Sequence, residues 1–178
     1  LGDPCSLERV LEHLELQQYW RRQNAYDFLG YRITWWKRHH IRDYLASDSP
    51  ATRFYHNAAR LPGNLPPERT RVLVWGYRDR PGFARRLSTL GYPLWRVEDG
   101  FLRSVGLGTD LTTPASLVVD SRGIYYDATR PSDLEHLLQH QDFDQGLERR
   151  ACALISALLS SGINKYNVGE RDANWLPN

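Results

Sequence analysis

Apolar residues change their spacing part-way along the chain, and that change divides it. Leu7, Val10, Leu11 and Leu14 recur at the three-and-four spacing of one helix face, with Leu16 close to it. Pro4 and Ser6 supply a start signal, so a helix is expected over 6–20. Polar residues follow from Arg21 to Asn24. A second helical pattern runs from Ile33 to Leu45, with Trp36, His40/Ile41 and Tyr44 on the same face, until Ser47-Asp48-Ser49-Pro50 breaks it. The turn-rich stretch Leu61 to Glu68 then marks a boundary between a helical segment, 1–60, and an α/β domain, 61–178.

Beyond the boundary the runs become short and continuous. Val72 to Trp75 is wholly apolar and ends at Gly76, which is how a buried parallel strand reads. Pro81 to Leu90 predicts a short helix closed by Gly91. Leu94 to Val97 predicts a second strand, running into Glu98-Asp99-Gly100, and Ser116 to Asp120 a third. Asp120 to Gly123 is a turn signal, and Ile124 to Tyr126 is expected to start a return strand. Ser132 and Glu135 form a capping box at the head of another helix. Asp144 to Ser161 predicts a longer helix, stopped by Gly162, with Leu147, Ala151, Leu154, Ile155 and Leu158 facing inward. The alternation from residue 72 onward implies a three-layer α/β architecture with a mainly parallel sheet, preceded by N-terminal helices.

Composition narrows the functional classes. A chain of 178 residues suits one domain with a proper core and a small helical appendage. The net charge of +2 argues against a nucleic-acid binder, which carries a strong basic excess. Six Trp and ten Tyr suit a dense core or surfaces that stack on sugars. The two cysteines, Cys5 and Cys152, make neither a disulfide framework nor a zinc site. Cys152 lies in an apolar helical pattern, so a buried free thiol and a reducing, cytoplasmic setting are expected. No apolar run reaches the ~18 residues of a membrane span, so any membrane association is expected to be peripheral. Methionine is absent, even at Leu1, so the chain is expected to be processed or a part of something longer.

Candidate chemistry centres on Glu98-Asp99-Gly100. In open α/β sheets ligands bind beyond the carboxyl ends of strands. Successive strand residues face opposite sides, so a regular strand cannot aim both carboxylates into one cleft. Gly100 permits a sharp turn, which favours Asp99 as the group delivered to the cleft and leaves Glu98 to support the loop or swing in. The competing reading is a solvated turn. Arg103 behind them can grip a carboxylate or phosphate bidentately, or pair with Asp99 or Asp110. Gly106 and Gly108 allow backbone amides to approach a ligand, but do not form a dinucleotide fingerprint.

The run VEDGFLRSVGLGTDL, continued through SLVVDSRGIYYDATRPSDLEHLL and the later NKYNVG, resembles the bacterial capsule polysaccharide biosynthesis and export family. The resemblance covers about residues 72 to 168, and ITWWKRHHIRDYL resembles the segment before that domain. Its implications are those of a retaining β-Kdo glycosyltransferase of GT-B architecture, two Rossmann-like halves facing across a cleft. Such an enzyme transfers Kdo from CMP-Kdo to a lipid-linked, phosphatidylglycerol-based acceptor, without a metal or other cofactor. By resemblance Asp99 is the catalytic carboxylate, forming a covalent Kdo intermediate, with Glu98 its less certain partner. Gly100, Arg103 and Ser104 would then bind the sugar or the acceptor. The family's His-Pro motif for the CMP moiety does not occur, so the chain is expected to be the first half alone, inactive by itself, with the donor held mainly by a second half. The alternative is a non-catalytic sugar- or phosphate-binding module that docks on a partner.

Other features carry less. His39 and His40 are adjacent, so on a helix they should diverge rather than share a metal. Lys37, Arg38 and Arg42 suit either a solvated helix face or contact with anionic lipid headgroups at the inner membrane. Trp35 and Trp36 read as packing residues rather than sugar platforms, and Asp127 and Arg130 as an internal ion pair or cleft residues.

Overall fold

A computed structural model describes residues 6–49, 51–104 and 113–165. Helix α1, Leu7–Gln23, starts where Ser6 Oγ accepts the Arg9 amide at 3.4 Å. Strand β1, Asp27–Tyr31, and helix α2, Arg38–Tyr44, follow, the latter entered through a 3-10 turn at Trp35–Lys37. Then come β2, Arg53–Tyr55; β3, Thr70–Trp75; and α3, Phe83–Leu90. Strands β4, Leu94–Asp99, and β5, Leu117–Asp120, precede α4, Asp133–His140, and α5, Gln145–Ser161. The strands lie in the order β2-β1-β3-β4-β5 in one sheet. β1 is parallel to both β2 and β3, whereas β4 and β5 are antiparallel. The expected α/β architecture with a mainly parallel sheet is therefore present. Contacts divide the chain into two compact units, Leu1–Trp95 and Arg96–Asn178.

In the first unit the register pairs Leu29 with Val72 and Tyr31 with Val74. Alternation puts these four side chains on one face, where they form a core with Leu61, Phe83, Leu87 and Tyr92. Tyr31 and Phe83 stack with centroids 3.9 Å apart. Phe28 and Leu73, of opposite parity, are also buried, so β1 and β3 have both faces covered, as central parallel strands do. Gly30 stands beside Phe54 of β2, and a Cβ there would come within 2.7 Å of the Phe54 ring. The absent side chain is what lets Phe54 lie against the sheet.

Strands β1 and β2 were not announced by the hydrophobic pattern. β1 has only five residues and includes Asp27 and Gly30, and β2 has only three, so neither yields a legible period. The expected return strand at Ile124 to Tyr126 is instead a turn, with the Asp127 amide donating to the Ile124 carbonyl at 2.9 Å. The cause is Asp120. Its buried carboxylate accepts the amides of Arg122 at 2.9 Å, Gly123 at 2.8 Å and Asp133 at 3.1 Å, which ties the end of β5 to the head of α4. The capping box at Ser132 and Glu135 is present, as is the left-handed Gly162 after α5.

The burial expected for α5 is not found: Leu147, Leu154 and Ile155 are exposed, and so is Cys152. A helical period fixes which residues share a face, not what covers that face. Leu7, Val10, Leu11 and Leu14 of α1 are exposed in the same way.

Candidate functional site

Strand β4 remains regular to its last residue, with Glu98 opposite Val118 and Asp99 opposite Leu117. The two carboxylates consequently diverge. Asp99 turns toward Arg103, whose Nε lies 3.0 Å from Asp99 Oδ2. Glu98 turns toward Tyr126, whose phenolic proton its charge helps to retain. Burial, and after it the charge of Glu98, push the Tyr126 phenol above its usual 10.0.

Arg103 is 1% exposed, while the Asp99 side chain retains 18% exposure. Side chain and backbone of Arg103 are both held. Its Nη1 donates to Ser104 Oγ at 2.6 Å, the Arg103 amide donates to the Lys165 carbonyl at 2.8 Å, and the Arg103 carbonyl accepts the Ala115 amide. Arg103 and the buried Ser104 thus stand behind Asp99 rather than on an open wall. Of the two partners the sequence offered Arg103, the fold shows Asp99; Asp110 lies outside the described residues, as do Gly106, Gly108 and Tyr166 to Gly169.

Gly100 has a different role from the one expected. Its φ is not positive, and its amide continues the ladder to the Ser116 carbonyl at 3.0 Å. A Cβ at this position would collide with the Ser116 side chain, whose Oγ donates to the Leu102 carbonyl at 2.6 Å. Glycine is required here for close approach of the two backbones, not for a sharp turn.

The sequence reading missed the aromatic group beside the carboxylates. Phe101 lies 5.1 Å from Tyr125, which lies 5.3 Å from Tyr126, and both Phe101 and Tyr126 are exposed. The Tyr-Tyr doublet was visible only as strand-forming sequence. Asp127, by contrast, accepts the Thr129 amide and hydroxyl at 3.0 and 2.6 Å, the geometry of a local turn. His39 and His40 do not diverge: their rings lie 3.6 Å apart. Among the described residues no three His, Cys, Asp or Glu side chains are grouped to hold a metal, and no helix is long and apolar enough to cross a membrane.

Residues 70–159, which include β4, the Asp99–Arg103 pair and α4, match the family model described as capsule polysaccharide biosynthesis protein. The chain belongs to that family. Curated relatives agree with this. The chain is 38% identical over 171 residues to the capsule polysaccharide modification protein LipA of Neisseria meningitidis, covering 96% of this chain and 24% of LipA. It is 51% identical over 100 residues to the lipopolysaccharide-processing protein LpsZ of Rhizobium meliloti, covering 55% of this chain and 23% of LpsZ. This capsule-family chain therefore spans about a quarter of the length of those relatives. Among solved structures it is similar to the β-Kdo 2,4 transferase of Thermosulfurimonas dismutans KpsC, with a TM-score of 0.66 and 30% identity over 86% of this chain and 46% of that one. The KpsC β-Kdo 2,7 transferase matches with a TM-score of 0.53, also at 30% identity, over 75% of this chain and 43% of that one.

Proposed function

We propose that this chain forms part of a retaining β-Kdo transferase, with Asp99 as its nucleophile. The observation that carries the reading is the half-buried Asp99 carboxylate at the carboxyl end of β4, fixed by a buried guanidinium 3.0 Å away within the segment that matches the family. Arg103 holds Oδ2, and Oδ1, with less than 1 Å² exposed, is uncovered when the sugar is seated. Such an oxygen can attack the anomeric carbon of Kdo as the bond to CMP breaks, and CMP departs with the bonding electrons. The acceptor hydroxyl then displaces Asp99, losing its proton, and two inversions retain the configuration.

The neighbouring groups support this assignment of roles. Arg103 and Ser104 are positioning residues, because their own burial places them behind the carboxylate. Glu98 orders Tyr126, and the exposed rings of Phe101 and Tyr126 offer flat apolar faces for a sugar. CMP-Kdo as donor, with most of its binding in a second Rossmann-like half of a GT-B enzyme, and a phosphatidylglycerol-linked Kdo acceptor at the cytoplasmic side of the membrane complete the proposal.

The test is a chimera in which this chain replaces the aligned segment of the KpsC β-Kdo 2,4 transferase. It should transfer Kdo from CMP-Kdo to the host enzyme's acceptor, and Asp99→Ala should abolish transfer in a chimera that still folds, at a lower melting temperature because buried Arg103 loses its partner. Transfer that survives Asp99→Ala would remove Asp99 from the chemistry. Sugar binding without transfer, indifferent to Asp99→Asn, would favour a binding module instead.

A further inference from the structure

The first unit contains a basic hollow that the proposed chemistry does not use. Three short segments meet there at the carboxyl ends of parallel strands. Arg32 and Thr34 follow β1, His56 follows β2, and Arg78 follows β3. With Trp35 and Arg38 they line a cavity of about 610 Å³, and among the described residues no carboxylate lines it. Carboxyl ends of parallel strands are where open α/β sheets bind ligands. We propose that this hollow is a binding site for a phosphate group.

Several features of the hollow are already arranged for an anion. Arg38 is anchored by its Nε donating to the Ile33 carbonyl at 3.2 Å, and its guanidinium lies 5.4 Å from the centre of the Phe54 ring, the ring seated by Gly30. Its Nη2 lies 2.6 Å from His56 Nε2. Arg78 is steadied by Nη1 donating to Thr34 Oγ1 at 2.9 Å. Arg32 occupies a left-handed conformation, φ 53°, pinned by its amide donating to the Tyr55 carbonyl at 2.8 Å. A long non-glycine side chain seldom adopts that conformation, and where one does, the surrounding structure holds it there. Among the described residues none of Arg32, Arg38 and Arg78 forms an ion pair.

Three guanidiniums carry more donors than a planar carboxylate with two oxygens can accept, whereas the several terminal oxygens of a phosphate match them. The cavity is far larger than one phosphate, so it has room for an organic group esterified to it. Trp35, 72% exposed on its wall, offers that group a flat surface. Of these residues only Arg38 belongs to the group, with Lys37 and Arg42, that was expected to form a solvated helix face or to meet lipid headgroups. Arg38 is instead turned into the hollow, while Arg42 donates to the Thr52 carbonyl and lies over Phe54.

Inorganic phosphate is the first probe, titrated into the chain at constant ionic strength and followed by tryptophan fluorescence. Anionic vesicles of phosphatidylglycerol and phosphatidylcholine, against phosphatidylcholine alone, are the second, read by co-sedimentation. Arg32→Gly suits the backbone conformation and removes one charge, so it should keep the fold while weakening phosphate binding about tenfold. Arg32→Gly with Arg78→Gln should abolish saturable binding, and Arg60→Gln, which loses one charge elsewhere as Arg32→Gly does in the hollow, should change nothing. Phosphate binding with vesicle binding, both lost in the double variant, assigns the ligand to a lipid headgroup. Phosphate binding without vesicle binding assigns it to a soluble phosphate ester. Absence of saturable phosphate binding, or equal binding by wild type and double variant, overturns the proposal. None of these results depends on Asp99.

Discussion

Replacing Arg103 by alanine tests how Asp99 is held. The guanidinium is 1% exposed and gives Nε to Asp99 and Nη1 to Ser104, so the substitution removes a buried cation and takes its ion-pair partner from a carboxylate of 18% exposure. Removing one partner of a buried pair costs about 3–5 kcal/mol. The residual exposure of Asp99 places this case at the lower end, about 3 kcal/mol. At roughly 3 °C per kcal/mol for a chain of this size, the melting temperature should fall by about 9 °C. Thermal unfolding followed by circular dichroism measures this directly. Asp99→Asn combined with Arg103→Ala should be milder than the sum of the single changes, with a coupling of about 2 kcal/mol. A loss below about 1 kcal/mol for Arg103→Ala, or strict additivity in the cycle, would refute the claim that the buried arginine anchors the carboxylate.

Two further outcomes follow from the same strand. Gly100→Ala forces a methyl group into the Ser116 side chain and should destabilise the chain by about 1–3 kcal/mol in urea unfolding, with Ser116→Ala only partly relieving it. Tyr126 should ionise above its usual 10.0, and Glu98→Gln should move its phenolate absorbance transition back down in part. Because the folded state holds that proton more tightly than the unfolded state, the contribution to stability is complete below about pH 10 and is lost as pH rises through the raised folded value. An alkaline unfolding profile unchanged by Tyr126→Phe would contradict this.

Legibility from sequence followed the length of each element and the range of its contacts. α3, α4 and β3 carry their own periods, caps and stops, so they were readable in isolation. β1 is brief and includes a glycine whose purpose, the seating of Phe54, exists only once β2 lies beside it. At the candidate site, alternation along β4 foretold that Glu98 and Asp99 would part, and they do. What alternation could not supply was the destination of each: Arg103 for one, and Tyr126 for the other, delivered by a turn that Asp120 creates. The basic hollow was illegible for a related reason. Arg32, His56 and Arg78 are distant in sequence and become neighbours only through parallel pairing, and Arg32 sits in a backbone conformation that its residue type does not advertise.

The central claim is that Asp99 forms a bond to the transferred sugar. The most direct measurement is the intact mass of the KpsC chimera after brief exposure to CMP-Kdo without acceptor. A mass gain of one Kdo residue, located by peptide mapping to Asp99 and absent in Asp99→Ala, is the predicted result. An adduct on another residue, or transfer to acceptor by a chimera lacking Asp99, would contradict the account.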